Sequence, residues 1–183
     1  MRFQPWPRTT AQNFWALVYF ANLIGSVLLA VIVFYANTWQ QNDLQVGAYA
    51  LKVGVTKVNL HFVEAFAMGM LCNWLVCLAV WMAAASKQVI GKIFGIFFPI
   101  MAFIALGYEH CVANMFYIPK AIFLASRPEV LAVANIPAEK LANLNWTGLV
   151  HNLVPVTLGN IASAAIFIAA FYWAAYLKNK DGA

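Results

Sequence analysis

Ala105-Leu-Gly-Tyr-Glu-His-Cys-Val-Ala-Asn-Met-Phe-Tyr-Ile-Pro119 lies near the middle of an apolar run that extends from Val89 to Leu124. Into that run it places a glycine, a carboxylate, an imidazole and a carboxamide. A single helix over the run would reach about 54 Å at ~1.5 Å per residue, well beyond the ~30 Å hydrocarbon core of a bilayer. The run therefore reads as two half-helices, 93–106 and 112–125, broken around Gly107–His110. Irregular backbone at membrane depth is tolerated only where protein buries it or where it lines a wet cavity. Ionisable side chains at that depth are costly and mark function, and broken helices near the midplane mark transport sites.

The composition supports a membrane setting. The chain has 183 residues, of which 64% are hydrophobic and 9% charged, with a mean hydropathy of +0.76. Soluble domains average about 45–50% apolar and about 25% charged residues. The fold class expected is an all-α polytopic membrane protein with four spans: 14–35, 62–85, 93–125 (broken near 107–110) and 153–177. Together they form one transmembrane domain over 1–183. Residues 36–55 read as a loop, and 126–147 as a loop with a short helix at 138–143. The run at the N-terminus is of full spanning length, so it reads as a span and not as a signal peptide.

The net charge of +5 comes from basic residues scattered over loops and ends, with no basic stripe, so nucleic acid is not an expected partner. A small anion and the lipid surface are. The lead, the 86–92 turn and the tail hold Arg2, Arg8, Lys87, Lys92, Lys178 and Lys180 in short segments. The longer loops hold Lys52, Lys57, Lys120, Arg127 and Lys140. That density favours both termini on the cytoplasmic side. Trp6, Trp39 and Trp146 fall near the expected interfaces, as an aromatic belt would. Cys72, Cys77 and Cys111 lie in apolar segments without redox or zinc spacing and read as small buried hydrophobes.

Among the intramembrane polar residues, His110 is the first candidate. With an ordinary pKa near 6.5, histidine is the side chain suited to exchange protons near neutral pH. Glu109, adjacent to it, points about 100° away on a helix and reads as structural, with Asn114 a nearby partner. Asn73 interrupts an apolar stretch of the second span and reads as a cap for backbone groups freed by the break. Lys57 and Glu64, seven apart, are expected on one face at the entry of that span. Lys57 there is either a snorkelling side chain or an anion-attracting cation at a pore mouth. His61-Phe-Val-Glu64 has metal-like spacing, but the six acidic residues of the chain fall mostly in loops and ends, so no metal and no cofactor is expected. No nucleophilic triad or phosphate loop can be assembled, so the chain is not expected to be an enzyme. A different class stays open: a membrane redox subunit holding haem through two of His61, His110 and His151.

An internal echo links the first and last spans. Val18-Tyr-Phe-Ala21-Asn22-Leu-Ile-Gly25 and Val156-Thr-Leu-Gly159-Asn160-Ile-Ala-Ser163 share the pattern Val-x-x-small-Asn-aliphatic-x-small. Small residues let helices approach and Asn bonds across them, so Asn22, Gly159 and Asn160 are expected to pack helices, as a repeat architecture predicts.

The stretches Lys57-Val-x-x-x-Phe-Val-Glu64, Leu71-Cys-Asn-Trp-Leu-Val-Cys-Leu-Ala-Val-Trp81, Gly107–Pro119 and Asn152-Leu-Val-Pro-Val-Thr-Leu-Gly-Asn160 resemble the formate/nitrite transporter family. They do so in family order and over nearly the whole chain. The Asn-Met-Phe-Tyr-Ile-Pro and Asn-Leu-Val-Pro pieces are most similar to the formate-channel branch. The nitrite and hydrosulfide branches share Gly-x-Glu-His, which leaves those anions as alternatives. The resemblance implies an aquaporin-like inverted repeat of six spans per subunit, a homo-pentamer with a pore in each subunit, and a cell (inner) membrane location with both termini cytoplasmic. It implies that this chain matches the third to sixth spans, as if truncated. The second span, which would carry a further helix break, is not matched. Residue by residue, it implies that His110 is the central pore histidine and Lys57 the vestibule lysine. It further implies that Phe103 and Val76 are apolar constrictions, and that Glu109, Asn73 and Asn114 brace the broken helix. A positive vestibule would concentrate a small anion such as formate, apolar rings would oppose the naked charge, and protonation at His110 would neutralise it for passage.

Overall fold

The computed structural model describes residues 8–174, with side chains from residue 13 onward. Arg2, Trp6, Lys178, Lys180 and the side chain of Arg8, which the sequence reading assigns to the two ends, lie outside the described residues. Every regular element described is helical: α1 (Arg8–Tyr35), a 3₁₀ turn (Thr38–Gln40), α2 (Gln45–Val58), α3 (Phe62–Ala85), α4 (Val89–Ala105), α5 (Cys111–Leu124), α6 (Pro128–Ala134), α7 (Ala138–Leu141) and α8 (Trp146–Ser163), which continues as a π-helix over Ala164–Ala170. Three stretches, Asn13–Tyr35, Phe62–Ala85 and Trp146–Ala170, are long and apolar enough to cross a bilayer, and α4 and α5 are shorter apolar helices. The protein is an all-α, multi-pass membrane protein.

Two compact units share the chain. One holds the described residues up to Val55 together with Met115–Leu144; the other holds Thr56–Asn114 and the described residues from Asn145 onward.

In the first unit, 36–55 is not the loop its Asn, Gln and Gly content suggests. Gly47, Ala48, Leu51, Gly54 and Val55 are buried, and this i, i+4, i+7, i+8 spacing is the apolar stripe of a helix. A Cβ at Gly54 would lie 2.1 Å from the Cβ of Ala121, so only glycine permits that approach of α2 to α5. The helix is preceded by Asn42, Asp43 and Leu44 in the left-handed region, which bars an earlier start. Beyond α1, Trp39 is buried. It stacks on Phe34, with centroids 6.3 Å apart, and donates from Nε1 to the Phe34 carbonyl at 3.0 Å. The Arg127 guanidinium lies 5.0 Å from the Phe34 ring centroid and 5.4 Å from that of Trp39, a cation–π arrangement. Residues 126–147 carry α6 in addition to the short helix expected at 138–143.

In the second unit, α3 packs against both α4 and α8. Gly69 and Gly159 mark the closest approach of α3 and α8: a Cβ at Gly159 would lie 2.2 Å from the Phe66 carbonyl oxygen, and one at Gly69 2.9 Å from that of Val156. Helix α8 begins at Trp146, seven residues before the expected position, because Asn145 caps it by accepting from Gly148 N–H at 2.8 Å.

Candidate functional site

The apolar run of the opening stretch is interrupted between α4 and α5. The stop is built into the sequence at Gly107, whose φ is +69°, a left-handed conformation that glycine adopts without steric cost. Gly107 N–H donates to Ile104 O at 3.1 Å and Tyr108 N–H to Phe103 O at 3.0 Å, the paired 5→2 and 6→1 bonds of a Schellman close. The chain then runs non-helically to His110 and restarts at Cys111.

A restarting helix has N–H groups without intrahelical partners, and inside an apolar bundle they must find side chains. Cys111 N–H donates to Asn160 Oδ1 at 3.0 Å, and Ala113 N–H donates to His110 Nδ1 at 3.3 Å. His110 is thus the N-cap of α5. Because Nδ1 accepts, the neutral ring carries its proton on Nε2. The imidazole is half-buried and stacks against Phe103, with centroids 6.0 Å apart and planes 25° apart.

Glu109 is the hub of a buried polar network. Its Oε1 is 2.6 Å from Lys57 Nζ. Its Oε2 accepts from Asn114 Nδ2 at 2.5 Å and from Asn152 Nδ2 at 3.2 Å, and its backbone carbonyl accepts from Asn160 Nδ2 at 3.1 Å. Asn152 accepts from Asn114 at 2.7 Å and donates to the Lys57 carbonyl at 2.8 Å. A carboxylate in apolar surroundings is tolerable only with such donors. Lys57, Glu109, Asn114, Asn152 and Asn160 are all buried.

Several sequence expectations look different here. Lys57, which the sequence leaves between a snorkelling side chain and a cation at a pore mouth, is 9% exposed and paired with Glu109. Lys57 and Glu64 do not share a helix face, because α2 ends at Val58, α3 starts at Phe62, and Glu64 is exposed in the first turn of α3. Asn73 reaches the break at one remove: its Nδ2 donates to the Asn160 carbonyl at 2.7 Å, and Asn160 holds the break directly. Val76 is half-buried on α3. His61 and His151 are exposed, and among the described residues no group of three or more His, Cys, Asp or Glu side chains could hold a metal ion. Asn152, which the sequence shows only within the Asn152–Asn160 stretch, lies two turns and about 80° from Asn160 on α8 and joins the same network. Of the two echo asparagines, Asn160 is buried and also donates to Gly69 O at 2.8 Å, whereas Asn22 is exposed and donates within its own helix to Val18 O at 2.8 Å.

The formate/nitrite transporter family profile matches residues 6–174. A probable formate transporter of Methanothermobacter thermautotrophicus is 41% identical over 178 residues, covering 90% of this chain and 59% of that protein. The formate channel FocA of Haemophilus influenzae is 40% identical over 160 residues, covering 86% of this chain and 56% of its own. Among solved structures, a pentameric formate channel with formate bound matches with a TM-score of 0.83 at 36% identity, over 93% of this chain and 68% of that one. The chain spans less than three fifths of the length of these two curated relatives. A match over nearly the whole chain, in profile, sequence and fold together, establishes that the protein belongs to the formate/nitrite transporter family, on its formate-channel branch.

Proposed function

We propose that the protein forms part of a channel for small monovalent anions, with formate as the cargo and His110 as the polar contact in an otherwise apolar passage. The observation that carries this reading is the placement of His110: a half-buried imidazole stacked on Phe103 at the helix break, with Nδ1 engaged by the backbone and Nε2 left for a ligand. In the transfer we propose, a ring protonated on both nitrogens gives one proton to a formate oxygen. Neutral imidazole and neutral formic acid result, and the reverse step on exit restores both ions. The Ala113 N–H bond favours the neutral imidazole that this step produces, since only an unprotonated Nδ1 can accept it.

Neutralising the cargo matters because Phe103 and Val76, proposed as the constriction, offer nothing to solvate a charge. Lys57 contributes through Glu109: the pair holds the break that presents His110. After the solved pentameric relative, we infer a homo-pentamer in the cell membrane with both termini cytoplasmic.

The test is formate flux into liposomes over a range of pH, using a chimera in which this chain is joined to the remaining length of a formate-channel relative. The parent should show pH-dependent flux and His110→Asn should not. Unchanged pH dependence in the variant would overturn the protonation step. Nitrite flux exceeding formate flux would overturn the cargo.

A further inference from the structure

Arg127 is a half-buried cation on a fixed backbone between α5 and α6. Its N–H donates to Leu124 O at 3.0 Å, and its carbonyl accepts from Val130 N–H and Leu131 N–H at 3.1 Å each. The guanidinium carbon lies 5.0 Å from the Phe34 ring centroid and 5.4 Å from that of Trp39, and the two centroids are 6.3 Å apart. These distances make a nearly equilateral triangle, so the cation rests across both rings. The rings are themselves held. Trp39 donates to the Phe34 carbonyl, and its own carbonyl oxygen would lie 2.9 Å from a Cβ at Gly47, which places it tightly against α2. Phe123 of α5 backs Phe34, with centroids 6.1 Å apart.

Aromatic faces attract the guanidinium charge but are weak acceptors for its N–H donors. Among the described residues, the buried Arg127 Nε has no hydrogen-bond partner, and no carboxylate pairs with the guanidinium. A charge partly withdrawn from water calls for a counter-charge, and the planar fork of N–H donors suits an oxyanion. The position in the fold selects the class. Phe34 is in the last turn of α1, at the end of a stretch long enough to cross a bilayer, and Trp39 follows it as an interfacial tryptophan would. The cation they carry is therefore at the level of the headgroups, where phosphate is the abundant oxyanion.

We propose that Arg127, seated on Phe34 and Trp39, binds the phosphate of an anionic phospholipid headgroup, with two N–H groups of the fork on two phosphate oxygens. Such a site ties the end of α1 and the connection from α5 to α6 to the bilayer surface. It is independent of the anion that the channel carries, and its test reads lipid binding and not flux.

Native mass spectrometry of the protein, released from liposomes with equal amounts of phosphatidylglycerol and phosphatidylcholine, is the first measurement. Phosphatidylglycerol should be retained in preference. Arg127→Lys keeps the charge and loses the fork, and its retention should fall about tenfold, as expected for a lost charge-assisted hydrogen bond. Lys87→Gln, at the exposed 86–92 turn, should retain as much as the parent. Equal retention by Arg127→Lys and the parent, or no preference between the two lipids, would overturn the proposal. A second measurement uses the parent alone and so does not depend on the folding of a variant. Soluble dihexanoyl-phosphatidylglycerol should raise its melting temperature more than the phosphatidylcholine analogue does. An equal rise with inorganic phosphate at the same concentration would assign the site to a free anion and overturn the lipid.

Discussion

Lys57 Nζ and Glu109 Oε1 meet at 2.6 Å across 52 positions of sequence, and their side chains are 10% and 3% exposed. The pair joins the end of α2 to the gap between α4 and α5. Both side chains are buried, so each compensates the other's charge, and the Asn114 and Asn152 amides add two donors to the Glu109 carboxylate.

Breaking that pair from one side should be costly. Glu109→Gln leaves an ammonium buried without its counter-charge, and a loss of about 3–5 kcal/mol is expected. Thermal unfolding of the detergent-solubilised protein, followed by size-exclusion homogeneity, checks this. The double variant Lys57→Met/Glu109→Gln should be more stable than Glu109→Gln alone, because the orphaned charge is removed with its partner. If the two losses simply add, the pair is not coupled.

Asn160 should matter more to the isolated chain than its echo partner. Asn160→Ala strands Cys111 N–H and the carbonyls of Gly69 and Glu109, at about 1–3 kcal/mol for each buried group left unsatisfied. Asn22→Ala removes one bond within α1 on an exposed face and should change stability little. The ranking of their melting temperatures is the measurement, and equal effects would contradict it.

Glycine tolerance should follow helix contact. Gly159→Ala drives a methyl to 2.2 Å from the Phe66 carbonyl oxygen, so α3 and α8 must separate, and a loss of at least about 1–3 kcal/mol is expected. Gly25→Ala meets open space and should be neutral, or gain up to ~1 kcal/mol from helix propensity. Expression level and melting temperature in a mild detergent distinguish the two.

For the assembled chimera, the pH sign is fixed by the proposed transfer. A doubly protonated ring must donate, so formate influx should fall as external pH rises. His110→Asn should flatten that profile. Phe103→Ala should raise leakage of the anion at high pH while retaining the slope, because the apolar barrier is lowered and the proton donor is kept.

Much of this was legible in the sequence, for identifiable reasons. An apolar run too long for one span, with Gly107 inside it, already requires an interruption, because bilayer thickness and helical rise leave no alternative. The positions of His110 and Glu109 at that interruption follow from adjacency. The helix at Gln45–Val58 was hidden because Asn, Gln and Gly raise the loop signal locally, while the stripe of residues that makes it helical is recognisable only once its buried face is known.

The sequence by itself determined that the chain is a multi-pass helical membrane protein, its family, and that the apolar run 89–124 is interrupted. These rest on composition, length and local motif, which need no partner. Only the tertiary structure decided which groups satisfy the break: Lys57 from α2, Asn152 and Asn160 from α8 and Asn73 from α3, residues separated from it by tens of positions. Hydrogen bonds of that range depend on how α3 and α8 cross, and the crossing is set by the close approach at Gly69 and Gly159. Lys57 shows the difference plainly, since near a membrane edge in one dimension it reads as a solvent-facing cation, and in three it is the buried counter-charge of Glu109.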